Sequence, residues 1–162
     1  MSPRSDPATE LLRHTCATLA YRAEKVLRGV PAHVPGLRVG EGARTPGEIL
    51  AHMGDLMDWA LSLAKGAHVW RKVPPGKWED DVARFFESLR VLDQFIASGV
   101  APGALPGKLF QGPVADALTH VGQIALIRRL AGAPVRGENY FLADIVPGRV
   151  GADRSARRVE FE

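Results

Sequence analysis

The sequence contains few of the features that several classes of protein require. Cys16 is the only cysteine among 162 residues, so an intrachain disulfide is excluded and a cytoplasmic, reducing compartment is the default prediction. No apolar stretch is long enough for a transmembrane helix, and residues 1–7 lack the apolar core of a signal peptide. These absences argue against secreted disulfide-rich and membrane-spanning proteins.

Clustered positive charge is also missing. The formal net charge is +3, and no run of basic residues is longer than Arg157-Arg158. Proteins that bind nucleic acids usually carry a concentrated basic face with aromatic residues between the charges. We therefore predict no nucleic-acid partner and no membrane partner.

The composition is that of one globular domain. Apolar residues make up 46% of the chain and charged residues 24%, and 162 residues are enough to bury a core. We assign residues 1–146 to the domain. Residues 147–162 mix arginine with acidic residues, so we predict a polar C-terminal tail that is solvated and poorly ordered.

Four segments repeat apolar residues with the 3.6-residue period of a helix, and no segment gives a convincing strand pattern. They cover about residues 7–28, 45–65, 77–98 and 113–131, separated by irregular Gly/Pro-rich loops at about 29–44, 66–77 and 100–112. Thr45, Pro46 and Glu48 form the pattern of a capping box at the start of the second segment. Since each helix has one face to bury, we predict an all-α four-helix bundle.

Asp116 and His120 are the most informative pair in the sequence. Their spacing of four places a carboxylate and an imidazole on one face of the fourth helix, one turn apart. Such a pair can share a divalent cation, and it can equally form a structural hydrogen bond. His52 lies at the edge of the buried face of the second helix. Two imidazoles and a carboxylate would leave positions open for water or substrate, as catalytic metal sites do.

Two segments resemble the DinB/YfiT-like family. Residues 45–53 (TPGEILAHM) resemble the start of that family's second helix, and residues 117–125 (ALTHVGQIA) with 128–132 (RRLAG) resemble its HxxxHxGQI helix. The resemblance covers about two thirds of the chain. It implies a bundle with an up-down-down-up arrangement that holds one divalent ion through three histidines. His52 matches the first of these and His120 the third, whereas Asp116 stands where the second histidine is expected.

The resemblance also implies an activity. Members of the family are linked to transfer and isomerisation reactions that use a low-molecular-weight thiol. We therefore expect a metal-dependent transferase, isomerase or hydrolase that acts on a small electrophile, with zinc, nickel, iron or manganese held by His52, Asp116 and His120. The alternative is a non-catalytic dimeric binding module with a vestigial metal site, for which the exposed faces of the first and third helices would supply the partner surface. A homodimer is expected in either case.

Two further features permit more than one interpretation. Gln123 lies three residues after His120 and can orient a metal ligand or serve only as a helix former; we favour the second. Residues 136–144 combine polar and aromatic side chains. They can fold over the mouth of the bundle and bring Glu138, Asn139 or Tyr140 to the site, or Tyr140 and Phe141 can simply anchor the C-terminal arm, which we favour.

Overall fold

The computed structural model describes residues 6–100, 103–152 and 159–161, and within these ranges the fold is an all-α four-helix bundle, as predicted. Helix α1 spans Pro7–Leu27, α2 spans Pro46–Ala64 and α3 spans Trp78–Ala97. Helix α4 comprises a first turn, Pro106–Leu109, a π-helical turn, Phe110–Val114, and a regular part, Ala115–Leu130. A 3₁₀ turn follows at Tyr140–Leu142.

The starts of α1 and α2 are set by local capping. The Asp6 carboxylate accepts a hydrogen bond from the Thr9 backbone N–H at the start of α1. At the start of α2, the Thr45 hydroxyl accepts from the Glu48 N–H at 3.2 Å, and the Glu48 carboxylate accepts from the Thr45 N–H at 2.7 Å. The predicted capping box is confirmed.

Helix α4 begins earlier than its sequence pattern indicates. The Gly/Pro-rich pattern predicts an irregular loop up to residue 112, but the chain is helical from Pro106 onward. Glycine and proline oppose a regular helix here, and Pro113 lies inside the π-helical turn. Leu109 and Val114 are nevertheless almost completely buried. Burial of these side chains against the bundle therefore outweighs the weak local helix propensity.

The helices pack so that α2 and α4 share a border. Helix α1 contacts α3 and α4, and α2 also contacts α3 and α4, which places α1 and α2 at opposite corners of the bundle. The core between them is apolar and tightly closed, with Leu19, Leu50, Phe85 and Ile124 fully buried. Within the described ranges, no helix has both the length and the apolar character needed to span a membrane.

The described part of the C-terminal tail is attached to the rest of the molecule at a few points. Val150 is only 3% exposed, and the Glu160 carboxylate forms an ion pair with the Lys25 ammonium at 2.9 Å. Gly137 accepts a backbone hydrogen bond from Phe161 at 3.0 Å. Val150 and Glu160 thus attach the tail at two points, while Pro147, Gly148, Arg149 and Phe161 are exposed. Residues 153–158 and 162 lie outside the described residues.

Candidate metal centre

The three predicted metal ligands come together where α2 borders α4. His52, Asp116 and His120 each offer one ligand atom, and these atoms all lie within 4.8 Å of one another. The imidazole side chains are 20% and 10% exposed for His52 and His120, whereas the Asp116 side chain is 47% exposed. The cluster therefore has two sheltered nitrogen donors and one carboxylate that faces solvent.

The distances in this cluster distinguish between the two interpretations of the Asp116–His120 spacing. His120 Nε2 lies 3.4 Å from one Asp116 oxygen, and His52 Nε2 lies 3.7 Å from the other. Both distances exceed the usual range of a hydrogen bond. Two ligand atoms about 2.1 Å from a tetrahedrally coordinated ion are about 3.4 Å apart. Neither distance is that of a direct Asp–His hydrogen bond, and the donor set and its spacing are compatible with a divalent ion.

Gln123 orients the His120 ring. The Gln123 Oε1 atom lies 2.8 Å from His120 Nδ1. Because an amide oxygen can only accept, Nδ1 must carry the proton. The Nε2 lone pair then points towards Asp116, and such partners fix the tautomer of metal-binding histidines. The interpretation of Gln123 as a mere helix former is therefore wrong.

The surroundings of His52 favour the neutral imidazole. Burial is the main cause that lowers the pKa of His52, and His120 and Arg44 lower it further. The carboxylates of Asp116 and Asp55 act in the opposite direction but do not outweigh these effects. A neutral imidazole keeps the lone pair that a metal ion needs, so at neutral pH the ring is ready to act as a ligand.

An aromatic side chain from the loop between α2 and α3 covers His52. The Trp70 ring centre lies 5.6 Å from the His52 ring and 5.7 Å from the Trp59 ring. The His52 and His120 rings are themselves 4.9 Å apart and nearly perpendicular. These edge-to-face ring contacts limit the directions from which solvent and ligands reach the His52 nitrogen atoms.

Two cavities flank the cluster. The first, which we call the polar cavity, measures about 420 Å³ and is lined by His52, Arg44, Trp70 and Lys72 among others. The second, which we call the apolar cavity, measures about 400 Å³ and is lined by His120 with several aliphatic side chains. Ala43 and Arg44 line both cavities. Each is large enough for a small organic molecule.

The loop that carries Trp70 is attached to α2 at two points. The Ser62 hydroxyl accepts a hydrogen bond from the Val69 N–H at 3.2 Å. The Asp55 carboxylate accepts from the Val73 N–H at 3.3 Å and pairs with the Arg84 guanidinium at 2.6 Å. Because Asp55 is only 2% exposed, this second attachment is well protected from water. The wall of the polar cavity is therefore held in place.

The segment 136–144 contributes nothing to the cluster. Glu138 pairs with the Lys25 ammonium on α1 at 2.8 Å, and the Tyr140 ring lies beneath the Arg22 guanidinium at 3.9 Å. Tyr140 thus anchors the C-terminal arm as predicted. Phe141 does not, since it is 94% exposed.

Sequence reasoning missed the role of Arg44 and Trp70 beside the site. Arg44 directly precedes the capping box, and Trp70 lies in an irregular loop, so neither residue belongs to a periodic pattern. Comparisons with protein-family models, with curated proteins and with solved structures found no significant match.

Proposed function

We propose that this protein is a divalent-metal-dependent enzyme of the DinB/YfiT-like type that acts on a small molecule in the cytoplasm. The observation that supports the proposal is the convergence of His52, Asp116 and His120 from two helices to within 4.8 Å. Two imidazoles and one carboxylate are a donor set that suits zinc, nickel, iron and manganese. Three protein ligands leave room for a substrate or water.

Each residue of the site has a separate task in this proposal. His52 and His120 bind the ion through nitrogen, and Gln123 holds the His120 proton on Nδ1 so that Nε2 is free. Asp116 completes the set, and its solvent exposure also permits it to accept a proton from a nearby ligand. When bound, the ion supplies Lewis acidity, which lowers the pKa of a thiol or water ligand.

The resemblance to the DinB/YfiT-like family suggests the reaction class. A low-molecular-weight thiol would be activated beside His52 and His120 and would attack a small electrophile. The proposal covers transferase, isomerase and hydrolase chemistry. The two cavities support it, since they provide space for small molecules on both sides of the imidazoles.

The proposal is tested by elemental analysis of the purified protein beside His52→Ala and His120→Ala. We expect a near-stoichiometric ion in the wild type and its loss from both variants. His14→Ala is the matched control, because His14 is an exposed histidine on α1, and this variant should keep the ion. Wild-type protein that stays empty after incubation with zinc, nickel, manganese and ferrous iron would contradict the proposal.

A second candidate, a dimeric binding module without catalysis, is favoured by a different observation. Leu126 and Leu130 on α4 are 57% and 65% exposed, and adjacent exposed leucines are typical of contact surfaces. Light scattering after size-exclusion chromatography tests this candidate. A homodimer that Leu126→Gln with Leu130→Gln dissociates, in a protein that binds no metal, would favour it over the enzyme.

A further inference from the structure

The polar cavity has more positive charge than its carboxylates neutralise. Of the two carboxylates in its lining, Glu48 pairs with the Arg38 guanidinium at 3.2 Å, and Asp55 pairs with Arg84 at 2.6 Å. This leaves Arg44 and Lys72, which also line the cavity. Among the described residues, neither of these two cations has a hydrogen-bond or ion-pair partner.

Arg44 and Lys72 belong to loops whose backbone is held by hydrogen bonds. Arg44 directly precedes Thr45, whose capping box fixes the start of α2, and the carbonyl of the preceding Ala43 accepts a hydrogen bond from Arg38. Lys72 directly precedes Val73, whose N–H is bound by Asp55. The start of α2 adds the positive end of a helix dipole to the same region. The backbone from which the exposed Arg44 and Lys72 side chains project is therefore fixed beside the cavity.

The cavity also offers an apolar surface. Trp70 is 45% exposed although its ring contacts the rings of His52 and Trp59 edge-on. A ring held in this way leaves part of its apolar surface free for a flat ligand group. A charged end and an aromatic wall in a cavity of about 420 Å³ match the ordinary anatomy of a small-molecule site.

We propose that the polar cavity binds a small organic acid, with its carboxylate between Arg44 and Lys72 and its flat apolar part against Trp70. The assignment rests on the proposed function in one respect: the bound acid would present its reacting group to His52 and its neighbours. The recognition itself depends only on the two cations and the aromatic ring, because carboxylate binding to arginine and lysine is charge-assisted and needs no metal.

Calorimetric titration with 3-phenylpropionate and with its neutral primary amide tests the assignment. We expect the acid to bind the wild type about tenfold more tightly than the amide, since a charge-assisted hydrogen bond is about twice as strong as a neutral one. The double variant Arg44→Gln with Lys72→Gln should lose this preference. Arg71→Gln should keep it, because Arg71 lies in the same loop and outside the cavity lining.

The titrations are run on chelator-treated and on zinc-loaded protein so that the two proposals fail separately. Preference for the acid in chelator-treated protein, lost in the double variant, supports the site even if elemental analysis finds no ion. If the protein binds the ion but shows no preference for the acid, the proposed organic-acid site is wrong and the proposed metal centre is unaffected. The site is also overturned if the acid shows no saturable binding, or if its preference survives in the double variant. Circular dichroism confirms that each variant is folded.

Discussion

At the scale of single residues, Asp116 would determine which ion the proposed metal centre prefers. A carboxylate is a harder donor than an imidazole, so replacing one of three nitrogen donors with oxygen shifts preference away from soft ions. Asp116 is also the most exposed of the three candidate ligands, at 47%. It is therefore the ligand on which a substitution is least expected to disturb packing.

Asp116→His should raise the preference for zinc over manganese. An imidazole at this position gives three nitrogen donors, which favour zinc, while manganese prefers oxygen. Competition with a chromophoric chelator measures both affinities. Asp116→Ala serves as the control and should weaken binding of both ions. Equal affinity ratios in the wild type and in Asp116→His would mean that Asp116 is not a ligand.

Gln123→Ala should weaken metal binding although Gln123 does not contact the ion. Loss of the hydrogen bond to His120 Nδ1 frees the ring to rotate and to change tautomer, and such losses typically reduce affinity by about 10–100-fold. Gln94→Ala on α3 is the matched control and should change nothing. Chelator competition gives the affinity, and a thermal melt shows whether stability has changed.

At the scale of elements, the loop between α2 and α3 depends on the buried Asp55 carboxylate. Asp55 links the Val73 N–H to Arg84 of α3, and Arg84 donates a further hydrogen bond to Asp58 at 2.8 Å. One guanidinium therefore pairs with a buried and with an exposed carboxylate. Asp55 and Asp58 therefore allow a comparison of how much a buried and an exposed ion pair contribute to stability.

Asp55→Ala should destabilise the fold by about 2 kcal/mol, because it leaves the Val73 N–H and part of the Arg84 guanidinium without partners. Asp58→Ala should cost less than about 1 kcal/mol, since the Asp58 side chain is 49% exposed. Urea unfolding measures both free energies. Equal effects of the two substitutions would show that the attachment of the loop does not depend on Asp55.

The elements that sequence predicts well are those with local causes. The capping box at Thr45 and the spacing of Asp116 and His120 involve neighbours along one helix, so the printed sequence contains all the information they require. The start of α4 at Pro106 depends on burial of Leu109 and Val114 against other helices. The placement of Trp70 over His52 depends on a loop of irregular pattern. Neither the start of α4 nor the position of Trp70 can be predicted from the residues adjacent in the sequence.

At the scale of the whole molecule, the C-terminal arm is joined to α1 by a buried charge cluster. The Lys25 ammonium lies between Glu138 at 2.8 Å and Glu160 at 2.9 Å, and the Tyr21 hydroxyl also donates to Glu138. Burial opposes the charge of Lys25, but its hydrogen bonds with the two glutamates prevail and raise its pKa. Residues more than one hundred positions apart are thereby connected, which the sequence alone does not reveal.

Glu138→Ala should destabilise the protein by about 3 kcal/mol, because it deprives the buried ammonium of its most sheltered partner. Glu160→Ala is the control. The Glu160 side chain is 31% exposed and Glu138 remains in place, so a loss of about 1 kcal/mol or less is expected. Urea unfolding of both variants measures the two losses in the free energy of unfolding. A larger effect at Glu160 would contradict this description of the arm.

The whole molecule should also lose stability at alkaline pH through Cys16. Burial raises the pKa of the Cys16 thiol from 9.0 to about 12, so the folded state retains its proton where the unfolded state has lost it. The contribution of the Cys16 thiol to the free energy of unfolding is complete below about pH 9 and is lost as the pH rises towards 12. The advantage of the wild type over Cys16→Ala should therefore shrink by about 2–3 kcal/mol between neutral pH and about pH 11. Urea unfolding at both pH values measures it, and a constant difference would contradict the prediction.

The presence of a separate cavity beside each imidazole has a consequence for reaction order. His52 lines one cavity and His120 lines the other, so two reactants could reach the same centre through different cavities. Neither would have to leave before the other arrives. A bimolecular reaction at such a centre would proceed through a ternary complex with random order of addition, and double-reciprocal plots of its initial rates would intersect instead of running parallel.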